Sequence, residues 1–301
     1  MGGLRIYISR YWQLYALLAL PVLYFAVFKY GPMYGVTIAF KDFNFFQGIN
    51  KSPWNGLATF RDIFQMPTFY TALRNTFMLN FLDLLVSFPA PIILAVMLNE
   101  LRIRWFKKLS QTILYLPHFI SWIIIGGIVY QVFATKTGIV NILLGKMGIE
   151  PVPFLSDKYD WLITYLGTGI WQSAGWGTII YLAAMTGINQ ELYEAAESDG
   201  AGRLARIWHI TLPGIKPTII VLLLLRLGEM VQIGFDRPYV LGNVQVSEFS
   251  EVLSTFVYKM GMQNGNYSLA TGVGFFQAVV GLVFILTSNY ISKKTTDQGI
   301  I

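Results

Sequence analysis

Glu194-Ala195-Ala196-Glu197-Ser198-Asp199-Gly200-Ala201, continuing to Ile210-Thr211-Leu212-Pro213, is the stretch on which the reading of this chain turns. Just ahead of it, Asn189 offers a side-chain oxygen to the orphan N–H groups that open a helix. Residues 190–198 are mostly good helix formers. Asp199-Gly200 ends that helix, with Gly200 suited to the left-handed conformation of a C-cap. A second, amphipathic turn over 203–210 follows, and Pro213 and Pro217 are expected to stop it and restart the chain. The product is a protruding elbow with Ala195, Ala196 and Ala201 on its surface, small enough to let another protein approach closely. Residue types alone leave open that it is a surface loop with no role.

Working outward, the elbow joins two apolar segments. The 301 residues carry only 13% charged side chains, against roughly 25% in ordinary soluble domains. Mean hydropathy is +0.53. Such a chain cannot clothe a globule in polar side chains, so much of its surface faces a bilayer. A spanning helix needs about 20 mostly apolar residues. Six windows qualify: 12–28, 76–98, 112–133, 161–185, 217–235 and 269–291. The first resembles a signal peptide but lacks a small-residue cleavage site, and Pro21, Phe25 and Phe28 fit a retained span better. The expected fold class is all-α, one transmembrane domain over residues 1–301 with the elbow at about 189–214.

An even number of spans puts both termini on one side. The short connection 99–111 holds Arg102, Arg104, Lys107 and Lys108, and the tail holds Lys293 and Lys294. This density of cations in short segments places both termini and the connection in the cytoplasm. The net charge of +6 therefore reports topology rather than nucleic-acid binding, because the basic residues form no single patch. Without cysteine there is no disulfide, thiolate catalysis or Cys-ligated zinc. His118 and His209 are far apart, so neither a metal site nor a catalytic residue is expected. A phosphate loop is absent too. Its nearest approach, Gly138 to Gly145-Lys146-Met147, has six intervening residues and Met where a hydroxyl is needed.

Asp83, Arg226 and Glu229 fall inside the expected spans, where ionisable groups normally face a cavity or a partner. Arg226 and Glu229, three apart, share a helix face. They either form a self-neutralising pair that locks packing or line a polar path. Asp83 faces a cavity, pairs across the bundle, binds a proton or, more simply, makes a structural hydrogen bond. His118 fits a packing residue better than a ligand.

Glu-Ala-Ala, two residues, Asp-Gly-Ala and then Ile-x-Leu-Pro resembles the EAA loop of binding-protein-dependent ABC importer permeases. Ile207 stands where that family usually has an aromatic, with Trp208 next to it. The resemblance covers the whole chain. Tyr30-Gly31-Pro32-Met33-Tyr34-Gly35, Ser52-Pro53-Trp54-Asn55-Gly56-Leu57, Phe88-Pro89-Ala90-Pro91 and Leu116-Pro117-His118-Phe119-Ile120-Ser121 are similar to permeases that import oligomers of degraded polysaccharides. Alginate-oligosaccharide importers are among these, with pectin-fragment importers alike.

The resemblance implies a type I importer permease fold in the bacterial cytoplasmic (inner) membrane. It implies a non-catalytic subunit that binds no cofactor. ATP and Mg are held by a separate ATPase dimer, which receives Glu194, Ala195, Ala196, Asp199, Gly200 and Ala201 as the coupling element. The other implied partners are a second homologous permease, an extracytoplasmic sugar-binding protein and membrane lipid, with no nucleic acid. The maltose-type members place sugar contacts on spans four and five. The matching positions here are Gly169, Gln172, Ser173 and Trp176, then Arg226, Glu229, Met230 and Ile233. Bottom-up, Trp176 offers a flat face to a sugar ring, Gln172 and Ser173 offer hydrogen bonds, and Gly169 leaves room. Arg226 suits an acidic sugar, though Glu229 opposes it. The competing class is a stand-alone secondary transporter or channel with Asp83, Arg226 and Glu229 as ion-coupling groups, but no inverted repeat is visible. An intramembrane enzyme lacks its nucleophile and base.

Overall fold

The computed structural model describes residues 2–296. Met1 and residues 297–301, which close the two termini placed in the cytoplasm above, lie outside them. The described residues are almost wholly helical, and their only extended pairing is one antiparallel bridge between Lys41 and Trp54. The chain divides into two compact units.

The smaller unit holds the residues up to 66 together with 257–276. Its first helix, α1 (Gly2–Phe25), is kinked at Tyr11. It runs on through a π-turn, Ala26–Tyr30, so the apolar stretch extends over Arg10–Phe40, well past the expected end at 28. Leu14, Leu17, Leu20 and Phe28 stay exposed along it, as side chains facing lipid do. Beyond it, Phe40 stacks on Trp54 at 5.6 Å and meets Phe60 and Phe275. Ser268 ties the loop to its partner helix by accepting from the Phe43 N–H and donating to the Lys41 carbonyl.

The larger unit holds residues 67–256 and those from 277 on. Its second apolar span is α2 (Pro67–Val86) followed by α3 (Pro89–Glu100), broken at Ser87-Phe88 where Pro89 and Pro91 forbid a continuous ladder. The span expected over 112–133 is not one helix. α4 (Arg104–Tyr115) runs into a 3-10 turn at Leu116–Phe119 and then bends by 104° into α5 (Trp122–Phe133). Pro117 cannot donate at this turn, and Ser121 starts a new helix by accepting from the Ile124 N–H.

Next comes α6 (Lys158–Thr186), capped by Asp157, whose Oδ1 accepts from Tyr159 N at 2.9 Å. At about 1.5 Å per residue it is long enough to cross a bilayer. It carries Gln172, Ser173 and several threonines and glycines, so it is less apolar than the others. Among the described residues, four helices and the bent pair are long and apolar enough to span. The fourth expected span, 161–185, lies within α6, which is longer but too polar to be counted with them.

The elbow follows. α7 (Gln190–Ser198) begins with the Asn189 side chain accepting from Glu191 N at 3.0 Å. It ends in a Schellman motif: Ala201 N–H donates to the Ala196 carbonyl, Gly200 N–H to the Glu197 carbonyl, and Gly200 has φ +77°. The proline expectation is corrected here. Arg203–Gly228 is one continuous helix through Pro213 and Pro217; its membrane part is α8 (Leu212–Gly228). A π-turn, Ile207–Thr211, widens the helix so that Leu212 N–H reaches back to the Ile207 carbonyl. The extra residue makes room for the Pro213 ring. The same arrangement, Ala26–Tyr30 followed by Gly31 and Pro32, carries the first helix past its proline.

Span five also ends early. Helix stops at Gly228, the chain unwinds over 229–235, and α9 (Asp236–Leu241) follows. The core of this unit gathers Leu79, Ile125, Val129, Trp161, Tyr165 and Leu241. A second cluster, Ala95, Tyr181, Met185 and Ile215, packs α3, α6 and α8 together. Backbones approach closely at Gly175 on α6, where a Cβ would collide with the Leu114 carbonyl of α4. Gly175→Ala should therefore lower stability by about 1–3 kcal/mol through overpacking. The check is the melting temperature of the detergent-purified protein, with Gly167→Ala, which meets open space, as the neutral control.

Candidate functional site

The unwound segment decides where the site lies. In hydrocarbon an unpaired carbonyl is costly, so irregular backbone survives there only when protein groups satisfy it. Asn80 donates to the Met230 carbonyl at 2.9 Å, and Gln277 donates to the Val231 carbonyl at 3.3 Å. Gly228, the last residue of the helix, lets the Ile285 side chain pack closely, since a Cβ there would lie 2.6 Å from its Cγ1.

Beside the segment is a cavity of about 440 Å³. Its buried anchor is Asp83, one turn beyond Asn80 on α2. Arg237 Nη1 donates to Asp83 Oδ2 at 2.8 Å, and Ser87 Oγ donates to Oδ1 at 3.0 Å. The second Arg237 nitrogen donates to the Tyr165 carbonyl at 2.5 Å. The guanidinium lies 3.7 Å from the Tyr165 ring centroid, a cation–π contact. Gly169 is what admits it, since a Cβ there would strike the guanidinium. The room over Gly169 thus holds Arg237.

Arg226 stands differently. Its nitrogens lie 3.9 Å from Asp83 and 3.4 Å from Glu229, and 42% of its side chain stays exposed, against 13% for Arg237. Arg237 is committed to its carboxylate, while Arg226 keeps donors for an incoming group. The expected Arg226–Glu229 pair exists, and Asp83 pairs across the bundle.

Of the residues expected on the path, Gly169, Gln172, Ser173, Arg226 and Ile233 line this cavity. Trp176, Glu229 and Met230 do not. Trp176 is stacked face to face on His118 at 4.7 Å. Glu229 turns outward to Arg226, and Met230 is buried while its carbonyl serves Asn80. Glu194, Ala195, Ala196, Asp199, Gly200 and Ala201 all sit on the elbow, where Arg206 pairs with Glu197 at 3.0 Å. Among the described residues no group of three His, Asp or Glu side chains is placed to hold a metal. The residue that sequence reasoning missed is Arg237. A buried, otherwise unpaired Asp83 called for a cation, but Arg237 sits beyond the apolar run and reads as loop.

The family model for the binding-protein-dependent transport system inner membrane component matches residues 87–297. Protein LplB of Bacillus subtilis is 48% identical over 95% of this chain and 90% of its own. The polygalacturonan/rhamnogalacturonan transport system permease protein YteP of the same organism is 44% identical over 95% and 89%. A crystal structure of a bacterial alginate ABC transporter, in complex with an alginate pentasaccharide-bound periplasmic protein, superposes with a TM-score of 0.88. It is 41% identical and covers 97% of this chain and 98% of the other. The chain belongs to the binding-protein-dependent transport system inner membrane component family: it is a multi-pass permease subunit of an ABC importer with the type I permease fold. Membership sets aside the stand-alone transporter and the intramembrane enzyme.

Removing one partner of a buried ion pair costs about 3–5 kcal/mol, mostly from the widowed charge. Arg237→Met should lower stability by that order. Asp83→Asn with Arg237→Met should recover most of it, and thermal melting of the two variants is the check.

Proposed function

We propose that the chain conducts acidic oligosaccharides, released from degraded polysaccharides, across the bacterial cytoplasmic membrane. The observation that carries this reading is Arg226: a half-exposed guanidinium beside a cavity whose other arginine is already neutralised. Loosely paired at 3.4 Å and 3.9 Å, the Arg226 guanidinium fork can exchange those carboxylates for a sugar carboxylate and make two parallel hydrogen bonds to it. Gln172 and Ser173 line the same cavity and suit hydroxyls. The similarity to the polygalacturonan and alginate systems, whose sugars are carboxylated, supports the same class of cargo.

In this reading Gly169, Gln172, Ser173, Arg226 and Ile233 border the path, while Trp176, Glu229 and Met230 shape it from behind. The chain works as one permease domain beside a second homologous permease, with both termini in the cytoplasm. A sugar-binding protein delivers cargo on the outer side. ATP and Mg are bound and turned over on a separate ATPase dimer, and this chain hydrolyses nothing. The elbow over about 189–214 seats on that dimer. Leu192, Leu204 and Trp208 are exposed on it and form the apolar surface such a contact needs. Nucleotide closure of the dimer then favours one packing of the spans over the other.

The test of the cargo is uptake into proteoliposomes by the assembled complex. The neutral pair Arg226→Gln with Glu229→Gln removes the ligand charge without stranding a carboxylate. Losing a charged hydrogen bond is worth about 1.5–3 kcal/mol. Transport of a uronic-acid oligomer should fall by about 10-fold or more, while ATPase assembly is kept. Undiminished uptake would remove Arg226 from the path. Coupling is tested separately. Gly200→Val puts a β-branched residue at φ +77°, a strain of about 1–2 kcal/mol or more confined to the elbow. Stimulation of ATPase activity by loaded binding protein should drop while membrane insertion is unchanged.

A further inference from the structure

The span formed by α2 and α3 closes at Glu100, and within four residues α4 begins. Arg102 precedes that helix, and Arg104, Lys107 and Lys108 occupy one face of its first turns by their i, i+3, i+4 spacing. The opposite face carries Trp105, Leu109 and Ile113, all exposed; Trp105 is 67% exposed. Among the described residues none of the four cations makes an ion pair. Trp105 and Phe106 are edge-to-face neighbours at 5.8 Å. A cationic stripe and an aromatic, apolar stripe on the first turns of a helix, between one apolar span and the bent pair that follows, have the chemistry of a helix end set in the headgroup layer.

We infer that Arg102, Arg104, Lys107 and Lys108 form a binding site for anionic phospholipid headgroups, with Trp105, Leu109 and Ile113 seated among the acyl chains. Lipid phosphate supplies the negative charge that no carboxylate of the described chain provides. The site also has a reach into the machinery. Leu114, on the same helix, abuts Gly175 of α6. Three residues beyond α4, His118 stacks on Trp176, also on α6. Headgroups that hold the first turn of α4 at one depth therefore hold the helix end that packs against α6. The inference adds a lipid requirement to the proposed import reading, and takes from it only the leaflet: the one facing the cytoplasm.

The experiment compares the intact complex in nanodiscs of phosphatidylcholine alone with nanodiscs that also contain phosphatidylglycerol. Nanodiscs expose both leaflets, so the result is independent of the assigned orientation and of the cargo. Retained lipid is counted by native mass spectrometry, and ATPase stimulation is read alongside. The wild type should retain phosphatidylglycerol in preference to phosphatidylcholine, and its stimulated activity should rise with the anionic lipid. A basic residue near an anionic surface is worth about a fivefold change in affinity. Arg104→Gln and Lys108→Gln should each weaken retention by about that factor, and Arg104→Lys should restore it. Joint replacement of all four cations by Gln should abolish both the preference and the activation. Equal retention by the wild type and the single Gln variants would overturn the proposal. So would release of the ATPase from the Gln variants in pure phosphatidylcholine, which would assign the stripe to a protein partner.

Discussion

The site depends on one exchange: the Met230 and Val231 carbonyls, freed where the helix unwinds, are claimed by amide side chains from other helices. Asn80 holds Met230, and Gln277 holds Val231. Without those donors the segment would have to rewind into helix, because the bilayer offers no water to take their place. Unwinding turns α9 so that Arg237 enters the bundle, and Asp83 on the Asn80 face of α2 is there to receive it. Two polar side chains one turn apart on a single helix thus fix both the backbone break and the charge that fills it.

The division of labour between the two arginines follows from burial. Arg237 is enclosed by Asp83, the Tyr165 ring and the Trp122 ring at 5.5 Å, so its charge is spent on structure. Arg226 shares the same carboxylate only at the edge of ion-pair range and keeps solvent contact. Set against Asp83 and Glu229, the two arginines give the cavity one guanidinium fixed in its wall and one that is half-exposed and loosely paired.

Local chemistry was legible in the sequence wherever a short motif carries its own geometry. Asn189 as a cap, Gly200 as a left-handed terminus and the Arg226–Glu229 pair follow from residue type and spacing alone. Illegible features were those set by groups distant in the chain. The break at Gly228 depends on Asn80 and Gln277, and the Asp83 partner lies 154 residues away. Hydropathy extended span five to 235 because the unwound residues are as apolar as the helical ones. The bend after Pro117 was hidden by uniformly apolar flanks, and α6 is a spanning-length helix whose polar stripe dilutes its apolar signal. Nothing in the sequence shows that His118 covers one face of Trp176.

The π-turn before Pro213 has a mechanical consequence. Two prolines would ordinarily place a flexible joint between the elbow and the membrane. Because the widened turn absorbs the proline, Arg203–Gly228 is a single rod of 26 residues, about 39 Å long. It behaves as a lever arm because the helix is continuous from the elbow into the membrane. A tilt of about 5° imposed at the Arg203 end displaces the other end by about 3 Å. That other end is Gly228, where the helical ladder stops and the Met230 and Val231 carbonyls are held by the Asn80 and Gln277 side chains. Force applied at one surface of the membrane is therefore delivered along one helix to the unwound backbone beside Arg226.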